Sequence, residues 1–282
     1  TYSPCEPITS PEEALKPGAR LIHSALESNV INRHHTVKGD IEAGFAASTK
    51  IIERDYEVGF QEHAYIEPES ITAWLDDDQQ IMTIAGSIQN AHRIRGIVAK
   101  YLDLPQSKVN VKRSVLGGSF GGKDDIIDNL ACRAALLVQL TGRPVKMTYN
   151  REQSMRESYK RHPYKLHYRI GLDDDARIQA MQINIIADGG SYAGQTMFVT
   201  WRSSVQAAGP YNIPNVRVDI TGVYTNNNYT SAYRGYGAPQ IIFANESLMD
   251  EVAEIVGLSP VELRLRNILR PVSYTHLRAH ET

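Results

Sequence analysis

Cysteine is nearly missing: Cys5 and Cys132 are the only two in 282 residues. Two thiols are too few for a disulfide framework or for an iron–sulfur cluster, which takes about four Cys ligands. A reducing, cytoplasmic compartment is the simpler expectation. Excess charge is missing too, since 30 Lys and Arg against 32 Asp and Glu leave −2. That balance gives no basic footprint for nucleic acid and no attraction to an anionic membrane surface. No apolar run approaches the roughly 20 residues that cross a bilayer, and no basic-then-apolar leader supports secretion. What remains, 42% hydrophobic and 22% charged residues, is the composition of a folded soluble protein. The length suits one large domain or two ordinary ones.

Both ends read as cut. The chain opens at Thr1 without methionine, and a helix-like segment gives way at "RPVSYTHLRAHET" to an unpatterned polar tail. Residues 272–282 are expected to be foreign to the fold. His276 and His280 have the i,i+4 spacing of a helical metal pair but lack a third ligand, so chance is the better account of them.

Between the ends, helical and strand patterns interleave. Residues 1 to about 50 have weak periodicity and read as a linker or edge segment, with 1–25 as a linker or the end of a preceding domain. "RDYEVGFQEHAYIEPESITAWL" is rich in β-branched and aromatic residues and is broken by Pro68. Ile94, Ile97, Val98, Tyr101 and Leu102 form the stripe of an amphipathic helix, and "KVNVKRSV" alternates as a strand. "IIDNLACRAALLVQLTGRP" reads as a helix stopped by Gly142 and Pro144. Tyr164–Leu172 and Met181–Ala187 alternate strictly and are predicted to form a hairpin across "DDDAR", a solvated turn. A helix is expected from Pro239 to Gly257, and a second opens with the capping box Ser259/Glu262. The expected fold class is α/β, mixed α+β, without internal repeats.

"VLGGSFGGKDD", Val115–Asp125, lies between strand-like and helix-like runs. Gly117, Gly122 and Lys123 satisfy most of a phosphate-binding P-loop, but the next position is Asp124 where Ser or Thr should bind Mg²⁺. A dinucleotide fingerprint needs another glycine spacing. Glycines that merely turn a corner are the third reading. Two further stretches look like ligand surfaces. "GFQEHAYIEPES" inserts Gln61, Glu62 and His63 into a strand-like run, and "NNNYTSAYRGYGAPQ" sets Arg234 among Ala232, Gly235, Tyr233 and Tyr236 just before a helix. An arginine beside glycines at a helix start suits an anion or a polar cofactor.

Taken together and in this order, "GFQEHAYIEPES", "GGSFGGKDD" and "AYRGYGAPQ" resemble the molybdopterin-binding subunit of the xanthine dehydrogenase and aldehyde oxidase family, over about Pro11–Pro271. The resemblance implies that 26–271 is the first molybdopterin-binding domain of such a subunit. The implied cofactor is a molybdenum-pterin, as molybdopterin or its cytosine dinucleotide. Gln61 would hydrogen-bond an oxygen at molybdenum. Gly118, Phe120 and Gly121 would line the cofactor, and Arg234 and Gly235 would contact it from the other segment. Asp124 and Arg202, with Ala232 and Tyr236, would hold the substrate. An acid and an arginine flanking an apolar slot suit a flat, purine-like N-heterocycle. Ser119 departs from the family's glycine, a change expected to do little harm because serine is small. Asp124 is one methylene shorter than the usual Glu, which leaves nicotinate-type and aldehyde substrates open. Gly235 stands where the carbon-monoxide-oxidising branch has cysteine, which disfavours that reaction.

The implied reaction is oxidative hydroxylation of carbon with water as the oxygen source. Iron–sulfur clusters and FAD would sit on partner subunits or domains. The family's catalytic base belongs to a Gly-x-Gly-Glu stretch, and this sequence has none. The expectation is therefore half an active site, inactive in isolation. The second half of the molybdopterin region would come from a continuation or a partner chain. Outside this class, a P-loop-like nucleotide-binding protein and a non-catalytic scaffold remain as alternatives.

Overall fold

A computed structural model describes residues 3–270, apart from 77 and 79, so the tail with His276 and His280 lies outside the described residues. In chain order the elements begin with α1 (Pro11–Ala14), β1 (Val30–Lys38), α2 (Ile41–Ala46), β2 (Lys50–Val58), β3 (Ser70–Leu75) and β4 (Met82–Gly86). Next come α3 (Ala91–Tyr101), β5 (Val109–Arg113), α4 (Gly122–Asp125), α5 (Ile127–Thr141), β6 (Val145–Thr148) and α6 (Arg151–Glu157). The last are β7 (Tyr164–Leu172), β8 (Ile178–Gly190), α7 (Thr196–Gln206), β9 (Asn215–Tyr224), α8 (Ala238–Val256) and α9 (Pro260–Asn267).

These elements form two compact units. The larger comprises residues 3–60, 162–230 and 235–270, and the smaller 61–161 and 231–234. In the larger unit the strand order is β1-β9-β8-β7-β2, with β8 and β9 parallel and every other pair antiparallel. The strict alternation of β7 does what its pattern predicts. Tyr164, Leu166, Tyr168 and Ile170 are buried and pack with Ile183, Ile185, Val218 and Ile220 against Ile241, Ala244, Leu248 and Val252 of α8. The β7–β8 hairpin closes through Asp173, whose Oδ1 accepts the N–H groups of Asp175 and Arg177 at 3.0 and 2.8 Å. The predicted capping box at Ser259/Glu262 is formed. Gly257 ends α8 at φ 72°.

The structure also holds elements that the sequence reading did not mark. The stretch read as linker or edge holds β1, an edge strand paired along its length with β9. Helix α7 was not foreseen.

The smaller unit carries the order β5-β4-β3-β6, with β4 and β5 parallel. Ile94 and Val98 of α3 and Leu130, Ala131, Ala134 and Val138 of α5 bury one apolar face with Ile71, Ala73 and Ile84 of the sheet. Gly142 and Pro144 end α5 as expected, Gly142 at φ 65°. Strand β5 delivers the chain to the glycine loop, which turns directly into α4 and α5.

Candidate functional site

The three motifs meet in the smaller unit, the third through its residues 232–234. The glycine loop has a contorted backbone, with φ of 101° at Gly118, 51° at Phe120 and 99° at Gly121. A bulky side chain at positive φ is strained, and Phe120 still presents its ring 45% exposed. A Cβ on Gly121 would sit 2.5 Å from the carbonyl oxygen of Ala232, so only glycine lets the loop approach that segment so closely. Ser119 strengthens the turn. Its hydroxyl accepts the N–H of Lys123 at 3.2 Å and donates to Gln89.

Glu67 clamps the loop at both ends. Its Oε2 accepts the N–H of Gly117 at 2.6 Å and the ammonium of Lys123 at 2.8 Å. Lys123 is fully buried, with its ammonium 4.6 Å from the Tyr65 ring centroid. Burial works to raise the Glu67 carboxyl, but hydrogen bonds from Lys123, Ser87 and the Gly117 N–H hold it below the usual carboxylate range. This lysine is a structural cation. A P-loop lysine has to reach bound phosphate, so the geometry removes the nucleotide reading.

A segment outside the motifs ties them together: Tyr159, Lys160 and Arg161, one residue after another. The Tyr159 hydroxyl donates to the Gly121 carbonyl at 2.5 Å. The Lys160 ammonium lies 2.6 Å from Glu62, and the Lys160 carbonyl accepts the Ser231 N–H at 3.2 Å. Arg161, 6% exposed, donates through Nε to Gln61 Oε1 at 2.6 Å and through Nη2 to the Arg234 carbonyl at 2.9 Å. Its guanidinium stacks 3.8 Å from the Tyr233 ring centroid. His63, also buried, donates from Nε2 to the Ala232 carbonyl at 2.8 Å and packs on Tyr233, ring centroids 4.6 Å apart. Burial pushes the His63 imidazole below its ordinary value, so the ring is neutral.

Each sequence-predicted residue can now be located. Gln61, Gly118, Phe120, Gly121, Asp124, Ala232 and Arg234 belong to the smaller unit. Gln61 and Arg234 share Arg161, and the Arg234 guanidinium lies 5.8 Å from the Phe120 ring centroid. Asp124 is half-buried in α4, next to the loop. Arg202, Gly235 and Tyr236 belong to the larger unit. There Arg202 is exposed on α7, Gly235 has φ 88°, and the Tyr236 hydroxyl donates to Gln195. Tyr159, Lys160 and Arg161 escaped the sequence reading because "SYKRHPY" matches no motif. Their only signal was two basic residues between predicted elements.

The donor set fits a polar, anion-bearing cofactor. Among the described residues, no hydrogen bond is formed by the backbone N–H groups of Gly118, Ser119, Phe120 or Gly121. Four successive amides on a loop with repeated positive φ make a concave array of donors. The carboxamide N–H groups of Gln61 and the exposed Arg234 add further donors. Such a set of donors can hold the anionic groups of a bound molecule.

Comparison with known proteins agrees. Residues 22–268 match the molybdopterin cofactor-binding domain family, and the chain belongs to that family. It is 39% identical to a probable xanthine dehydrogenase subunit of Bacillus subtilis, over 96% of this chain and 36% of that protein. It is 38% identical to the nicotinate dehydrogenase large molybdopterin subunit of Eubacterium barkeri, over 94% of this chain and 61% of that one. Among solved structures, aldehyde oxidoreductase from Desulfovibrio gigas superposes with a TM-score of 0.84 at 31% identity, over 95% of this chain and 29% of that chain. The chain thus spans between about a third and three fifths of the lengths of the two relatives from Bacillus and Eubacterium.

Proposed function

We propose that this chain is the first part of the catalytic subunit of a molybdenum hydroxylase that oxidises a purine-like N-heterocycle, with water as the oxygen source. The observation that carries the reading is the gathering of Gln61, the open glycine-loop amides, Phe120 and Arg234 in one unit, held by buried polar contacts. When bound, the molybdenum-pterin supplies the two-electron redox chemistry. The chain's own residues bind and orient. The loop amides and Arg234 hold the cofactor's anionic atoms, and the Gln61 carboxamide donates to the cofactor. Phe120 offers an apolar face that confines a planar ring. Asp124 accepts N–H groups of the heterocycle, and Arg202 stabilises negative charge developing on it. The base, the iron–sulfur centres and FAD belong to other chains or domains, in the cytoplasm.

The test uses the full-length chain co-expressed with its partner subunits. Molybdenum and pterin are expected at about one each per subunit, and a purified assembly with neither would sink the proposal. Arg202→Met is expected to lower kcat/KM for a purine about 100-fold, the scale of losing one charge-stabilising donor, while aldehyde turnover changes less than about threefold. Equal losses would remove Arg202 from the proposed substrate role. A nicotinate-type substrate is the second reading, favoured by the 38% identity to the nicotinate dehydrogenase subunit. Faster turnover of nicotinate than of xanthine or hypoxanthine would select it.

A further inference from the structure

Gln61 raises a problem that its own sequence neighbourhood does not solve. A carboxamide has an acceptor end and a donor end of nearly the same shape, and a half-turn about its last torsion exchanges them. An exposed glutamine also loses rotamer freedom when it is held in one pose. If Gln61 is to donate to a cofactor reliably, something must fix the flip.

We propose that Arg161 is the positioning residue that does so, a step that rests on the cofactor reading above. A guanidinium carries only donors, so it can engage Gln61 only through the amide oxygen. It does so at 2.6 Å with Nε. The two N–H groups of Gln61 are then the end left for a ligand, and among the described residues they make no hydrogen bond. Arg161 is itself fixed from three other directions. Its backbone N–H donates to the Gln61 carbonyl at 3.0 Å, Nη2 holds the Arg234 carbonyl at 2.9 Å, and its plane lies on Tyr233. One buried side chain therefore sets the register of both Gln61 and Arg234. The charge-assisted bond to the amide oxygen also polarises the carboxamide, which makes its N–H groups better donors. Lysine offers a single point charge where this site uses a planar fork, so Arg161→Lys should not restore the arrangement.

The experiment uses the full-length, cofactor-loaded assembly with Arg161→Met, Arg161→Lys, Gln61→Met and the double variant Arg161→Met/Gln61→Met. Four quantities are measured: molybdenum and pterin per chain, Tm, kcat with KM, and the electron paramagnetic resonance spectrum of the partly reduced metal. Arg161→Met is expected to keep metal and pterin within about twofold. It should lower kcat about tenfold, the worth of one charge-assisted hydrogen bond, with little change in KM. Its spectrum should shift in the same direction as that of Gln61→Met, and the double variant should be no slower than Gln61→Met alone. Losses that multiply in the double variant, or a spectrum of Arg161→Met identical to the parent's, would overturn the proposal. Should Arg161→Met shed its cofactor, Arg161→Lys decides: a shifted spectrum with metal retained supports the assignment, and parental behaviour refutes it. An unmodified assembly that lacks molybdenum and pterin defeats the cofactor reading instead, which separates the two failures.

Discussion

The core of the larger unit and the motif-bearing corner of the smaller one are both tightly packed, yet different forces hold them. In the larger unit, Leu166, Ile183, Leu248 and their neighbours are aliphatic and interdigitate between sheet and helix. In the corner the buried groups are Arg161, His63, Lys123 and Glu69, and hydrogen bonds and ion pairs fix their positions. Apolar packing is non-directional and tolerates swaps of similar volume. A buried polar network is directional, and each member left without a partner is costly. The corner exchanges tolerance for positional accuracy, which is what a cofactor cradle requires.

The contrast can be broken most forcefully with a pair of substitutions. Gly121→Ala combines a disfavoured φ with a collision against the Ala232 carbonyl, and is expected to cost about 4 kcal/mol and reduce bound molybdenum to background. Leu248→Ala should cost about 3 kcal/mol in thermal or denaturant unfolding while leaving metal per folded chain unchanged. If Gly121→Ala kept its cofactor, the loop would have no place in the site. A smaller, asymmetric effect is expected at the clamp. Glu67→Ala strands a fully buried ammonium and should cost about 3 kcal/mol. Lys123→Met leaves a carboxylate that is 38% exposed and still hydrated, and should cost about 1 kcal/mol. Reversal of that order in urea melts would mean that the lysine is not the dependent partner.

The smallest expected effect concerns pH. Burial keeps His63 neutral in the folded state, whereas the unfolded chain takes up a proton near the ordinary value of about 6.5. Its contribution to stability is therefore complete above that value and is lost as pH falls below it. A scan of Tm from pH 8 to pH 5 should show His63→Gln losing a few degrees less than the parent on the acid side. Parallel curves would mean that the ring is not held neutral.

Much of this architecture could be read from the chain. Period-two alternation marked β7 and β8 because one face of each must be buried, and Ser259 with Glu262 announced α9 because the helix start needs its N–H groups satisfied. Helix α7 gave no such sign. Gln195 at its start makes no side-chain cap, and Met197, Phe198, Trp201 and Val205 are exposed, so no clean apolar stripe forms. Strand β1, "VINRHHTVK", is an edge strand whose polar side chains hide its period. Gln61, Phe120 and Arg234 could be singled out as candidates because unusual residue types sit in glycine-rich or polar surroundings, and the family resemblance supplied the roles proposed for them. Arg161 could not be, since an isolated arginine carries no pattern and its meaning comes from a partner 100 residues away.

That separation also bears on biosynthesis. Tyr159, Lys160 and Arg161 join Gln61, Gly121, Ser231 and Arg234, so the cradle cannot close until residue 234 has left the ribosome. Any factor that delivers the cofactor must therefore act on a chain already translated well past the glycine loop, when the last of these strings has been drawn tight.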